Sequence, residues 1–68
     1  MLTQEQFDRA DTALGHVIEN APEFTDRQVD FALVNGDRLS RYGRHTNLSE
    51  RQWVVIEKIE AQIKENEE

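Results

Sequence analysis

Three arginines, a tyrosine and a histidine fall within one short stretch, Arg38-Leu39-Ser40-Arg41-Tyr42-Gly43-Arg44-His45, and Arg51 follows shortly after. A guanidinium is a planar fork of donors that grips carboxylate or phosphate through two bonds at once. Arginine and tyrosine are also the residue types that dominate binding hot spots. Arg38, Arg41, Tyr42, Arg44, His45 and Arg51 are therefore candidate binding residues. The plainer role for Arg38 and Arg41 is to sit in the last turn of a helix, where cations meet the negative end of its dipole, and to pair with Asp37. His16 and Glu19 form an HxxE pair, but two ligands fall short of the four that structural zinc takes, so His16 reads as a surface histidine. Glu5, Asp8, Asp11, Asp30 and Asp37 read as a solvated acidic face rather than a nucleic-acid mimic.

The chain contains no Gly-rich phosphate loop, HExxH, nucleophile elbow or EF-hand pattern. So small a helical domain is expected to lack room for a pocket of ~300 Å³ or more. The expectation is a protein with no catalytic residue, no cofactor and no metal.

Charge narrows the choice of partner. The 68 residues carry a net charge of −6, which opposes general affinity for phosphate backbones. Residues 1–37 hold eight acids and two bases, residues 38–58 two acids and five bases, and residues 59–68 four acids and one base. A basic middle thus lies between acidic ends. There is no cysteine, which fits a reducing compartment. No apolar run approaches the ~18 residues of a membrane span. No basic region followed by an apolar stretch marks a signal peptide. A cytoplasmic protein with no membrane partner is expected.

The elements that must position these residues announce themselves three times. Leu2-Thr3-Gln4-Glu5-Gln6-Phe7, Phe24-Thr25-Asp26-Arg27-Gln28-Val29 and Leu48-Ser49-Glu50-Arg51-Gln52-Trp53 share one pattern. A Ser/Thr cap is followed three residues later by Gln and flanked by an apolar pair, which is a capping box with a hydrophobic staple. The pattern predicts an all-α, three-helix single domain over residues 1–68, with helices at about 3–20, 25–42 and 49–64. Pro22 ends the first helix and makes the first two antiparallel neighbours. The second is expected to run through Gly36 to Tyr42, with Gly36 facing inward opposite Arg9 and Ala10. Gly15, beside the stripe of the first helix, is expected to permit a close crossing. Gly43 closes the second helix in a left-handed conformation. Glu65 to Glu68 are expected to fray.

Trp53 is expected to anchor the core with Phe7, Leu14, Val29, Leu33, Ile56 and Ile59. Val54 and Val55 widen the apolar stripe of the third helix beyond what two neighbouring helices can cover. That surplus predicts a symmetric dimer through the third helix or a docking site for a different protein.

The segment Arg41-Tyr42-Gly43-Arg44-His45-Thr46-Asn47-Leu48-Ser49-Glu50-Arg51-Gln52-Trp53 resembles a short module, R-Y-G-x-x-T-x-L-S-E-[KR]-Q-W, of small phage- and plasmid-encoded proteins. The resemblance begins at about Thr25 and does not involve the first helix. It implies a mobile-element or bacterial origin and a binding role, and it transfers no functional residue. The expected function is protein–protein interaction, as a small regulator, inhibitor or assembly factor. The alternative is an accessory nucleic-acid contact through the region from Arg38 to Arg51.

Overall fold

The computed structural model describes residues 1–66. They form α1 (Gln4–Glu19), α2 (Asp26–Tyr42) and α3 (Glu50–Asn66), joined by 3-10 turns at Ala21–Glu23 and Gly43–His45. No strand occurs among the described residues. Each helix begins directly after its expected cap, because all three capping boxes form. Thr3 N–H donates to Gln6 Oε1 at 2.9 Å and Gln6 N–H to Thr3 Oγ1 at 3.0 Å. The matching pairs are 3.0 and 3.1 Å at Thr25 and Gln28, and 2.7 and 3.3 Å at Ser49 and Gln52. The apolar residues that precede the caps turn inward. Leu2 and Phe24 are buried, and Leu48 packs against the core.

α1 is the spine. It packs against both α2 and α3, whereas α2 and α3 barely approach each other. The fully buried apolar residues of the helices are Ala10, Ala13, Leu14 and Val17 from α1, Ala32 and Leu39 from α2, and Ile56 and Ile59 from α3. Three of the eight are alanines, and their small side chains let neighbouring backbones come close. The start of α1 is tied to the end of α2 by a reciprocal pair. Leu2 N–H donates to the Arg44 carbonyl at 2.7 Å, and Arg44 Nε donates to the Leu2 carbonyl at 3.0 Å.

Several expectations need correction. Trp53 is not the centre of the core. It is half-buried at the edge, with the Arg9 guanidinium 5.6 Å from its ring centroid. Leu33 lies outside the core and is 53 % exposed. The buried stripe of α2 runs through Ala32, Asn35 and Leu39, and at 3.6 residues per turn Leu33 points well away from it. Gly36 does continue the helix, but its neighbour is Ile18. A Cβ at Gly36 would stand 3.7 Å from Ile18 Cδ1. Arg9 faces α3 instead, where it holds Glu60. Gly15 marks no close crossing, since nothing lies within 4 Å of its Cβ direction. α3 runs to Asn66, two residues beyond the expected end, and Ile63 in its last turns packs on the core. Glu67 and Glu68 lie outside the described residues. Gly43 has φ 55° and ψ −133°, which is not the left-handed helical conformation but a region essentially restricted to glycine.

The three glycines should therefore respond differently to alanine. Gly36→Ala and Gly15→Ala are each expected to raise stability by up to ~1 kcal/mol, since alanine is the better helix former and meets no obstacle. Gly43→Ala is expected to lower it by ~1–3 kcal/mol through backbone strain. Urea denaturation of the three variants checks this. A loss at Gly36→Ala would mean that Ile18 cannot share the space.

Candidate protein-binding groove

Because α2 and α3 do not close on each other, an open cleft of about 370 Å³ lies between them. Thr25, Arg27, Gln28 and Phe31 line it from α2 and the residue before it, and Val55 and Lys58 from α3. This corrects the expectation that so small a domain has no room for a pocket. The space is an open groove rather than an enclosed cavity, and it exists because the core spends its apolar contacts on α1.

Phe31 and Val55 form the apolar part of the lining. Both are only partly buried. Arg27 and Lys58 are exposed, and neither takes part in an ion pair among the described residues. Two amide bridges span the helices on either side of this apolar section. Gln28 Nε2 donates to Gln62 Oε1 at 3.1 Å, and Gln62 Nε2 donates on to the Glu23 carbonyl at 3.3 Å. Seven residues along α2, Gln52 Nε2 donates to Asn35 Oδ1 at 3.3 Å. Asn35 is itself buried and donates to the Phe31 carbonyl at 3.0 Å. Gln28 and Gln52 are also capping residues of α2 and α3. Each uses its carbonyl oxygen for the cap and its NH₂ for the neighbouring helix. Glutamate would serve the cap equally well but has no hydrogen to donate onward.

The flank between α1 and α3 is different. Arg9 holds Glu60 through two bonds, Nε to Oε2 at 3.2 Å and Nη2 to Oε1 at 2.7 Å, and lies over Trp53. The hydrogen bond with Glu60, followed by the charge of Glu60, holds the Arg9 guanidinium above its usual pKa. α1 and α3 are thus clasped at their surface, while α2 and α3 are propped by amides.

The arginine-rich segment is largely engaged in building the α2–α3 connection. Arg41 Nε pairs with Asp37 Oδ2 at 3.0 Å. Arg38 Nη2 donates to the Asn47 carbonyl at 3.3 Å. Arg44 binds Leu2 as described. Thr46, buried and unremarked in the sequence, shares its hydroxyl between the Gly43 carbonyl at 2.8 Å and the Arg38 carbonyl at 3.1 Å. Tyr42 and His45 are exposed beside this knot. Of the sequence candidates, Val55 lines the groove. Arg51 and Val54 are exposed on α3 next to it. Arg27, Phe31 and Lys58 were not singled out from the sequence. Their signal was the i,i+4 pair of Arg27 with Phe31 and the i,i+3 pair of Val55 with Lys58, each joining a cation to an apolar residue on one helix face.

His16 is half-buried and meets Phe24 edge-to-face, with ring centroids 6.0 Å apart. No group of three His, Cys, Asp or Glu residues that could hold a metal ion occurs among the described residues. No helix there is long and apolar enough to cross a membrane. Comparison with protein-family models, with curated proteins and with solved structures found no match to this chain.

The double use of glutamine is testable. Gln52→Glu keeps the cap but sets a carboxylate against Asn35 Oδ1, and it is expected to cost ~1–2 kcal/mol. Gln6→Glu, whose NH₂ has no partner among the described residues, is expected to change stability by less than ~0.5 kcal/mol. Chemical denaturation of both variants decides, and equal losses would show that the bridge to Asn35 contributes nothing.

Proposed function

We propose that the chain is a non-catalytic protein-binding module, a small regulator, inhibitor or assembly factor, that docks its partner in the groove between α2 and α3. The observation that carries this reading is the groove itself. Phe31 and Val55 stay partly open to solvent between two side-chain bridges that keep the helices apart. Partly exposed apolar anchors inside a polar rim are the anatomy of a protein contact. The lining is Thr, Arg, Gln, Phe, Val and Lys, a set without a nucleophile–base pair.

Nucleic acid is the weaker partner. Arg38, Arg41 and Arg44 already bond within the chain, and the groove is floored by apolar residues that a phosphate backbone would leave uncovered. A symmetric dimer through α3 meets a different obstacle. Val54 is 50 % exposed and would gain from cover, but Arg51 and Lys58 flank it. In an antiparallel contact centred on Val54 and Val55, Arg51 of one copy would meet Lys58 of the other. In a parallel contact each would meet itself. Arg51 and Lys58 would face like charges in both arrangements, a cost that Glu50 and Glu57 on the same surface offset only in part.

The test is site-specific photo-crosslinking in the organism that makes the protein. A photoactivatable residue at Val55 or Lys58 is expected to yield one discrete protein adduct that is missing when the same residue replaces Asp11 on α1. Adducts of equal yield at all three positions, or an adduct of this 8.0 kDa chain with itself alone, would overturn the reading.

A further inference from the structure

The charge at the groove has a pattern. On α2, Arg27, Phe31, Val34 and Arg38 follow one another at intervals of four, three and four residues, so they share one face. On α3, Arg51, Val55, Lys58 and Gln62 follow the same intervals. The two helices run antiparallel, because Gln28 bridges to Gln62 and Asn35 to Gln52. Arg27 and Lys58 line the groove, whereas Arg38 and Arg51 lie farther along the same two faces, outside its lining. Phe31 and Val55 form the floor of the groove, and Val34, 53 % exposed, follows one turn along α2. The groove sets an apolar floor beside two exposed cations that have no ion-pair partner among the described residues, on a protein that is acidic as a whole.

We propose that the occupant of this groove is an acidic amphipathic helix of a partner protein. Its apolar residues at i, i+3 or i+4, and i+7 rest on Phe31 and Val55. Its carboxylates meet Arg27 and Lys58, which flank the apolar floor. Helix-in-groove recognition of this kind reads apolar anchors for affinity and flanking charges for choice of partner. A phosphate backbone would supply the charge but nothing to cover the apolar middle. The proposal rests on the docking role of the groove and adds the chemistry of what docks.

Two designed helical peptides test it against the intact ¹⁵N-labelled chain by NMR titration. Both carry leucines at i, i+3 and i+7. One has glutamates at its ends and the other has lysines in the same places. The glutamate peptide is expected to shift the amide signals of Arg27, Phe31, Val55 and Lys58 and to bind ~10-fold or more tightly than the lysine peptide. The double variant Arg27→Glu, Lys58→Glu is expected to reverse that preference while its unbound spectrum stays folded. Equal binding of both peptides at the groove would overturn the acidic partner but leave the docking role standing. Failure of both peptides to perturb the groove at millimolar concentration would overturn both. Tighter binding of a single-stranded oligonucleotide than of the glutamate peptide would reassign the groove to nucleic acid. Concentration-dependent shifts of the same signals in the unmixed protein would reassign it to a second copy.

Discussion

Everything in this small domain depends on the contact surface of α1. Ala10, Ala13, Leu14 and Val17 are buried against two helices at once, and the alanines among them let those helices come close. A chain of this length has only enough apolar side chains for one compact core. Spending them on α1 leaves α2 and α3 without a shared apolar seam. The groove is the geometric remainder of that allocation, and the pairing of Phe31 with Val55 is too sparse to close it.

Amides take over where apolar contacts run out. Gln28 and Gln52 begin as helix caps and end as struts, so the signals that start α2 and α3 also set their separation. This links local structure to tertiary structure through single side chains. It also accounts for Asn35, a buried polar residue in the middle of α2. Its NH₂ satisfies a backbone carbonyl and its oxygen receives Gln52, so no buried side-chain nitrogen or oxygen among the described residues lacks a partner. Gly36, next to it, is tolerated within the helix because the stripe on either side is fixed by Ala32 and Leu39.

The three helices were legible in the sequence, since a capping box is a local device that needs no tertiary context. The use of Leu2, Phe24 and Leu48 as inward-turned staples follows from the same pattern. What the sequence concealed was set by packing between helices. Leu33 and Trp53 are the larger apolar residues, and size alone places them in the core. The neighbours available to them instead leave Leu33 exposed and Trp53 at the margin beneath Arg9. The residue types of the arginine-rich segment suit anion binding, yet Arg38 bonds Asn47, Arg41 pairs with Asp37 and Arg44 bonds Leu2. Arg27 and Lys58 are isolated in sequence, and only the splay of α2 from α3 brings them to one groove.

The central claim is that α2 and α3 stand apart in solution and leave Phe31 and Val55 accessible. Solvent paramagnetic relaxation measures this directly, by comparing the Phe31 ring and Val55 methyl protons with the Ile56 and Ile59 methyls in the presence of a soluble nitroxide. Strong broadening at Phe31 and Val55, with Ile56 and Ile59 protected, is the expected result. Protection of Phe31 and Val55 to the level of the two isoleucines would show that the helices close on each other, and the groove with them.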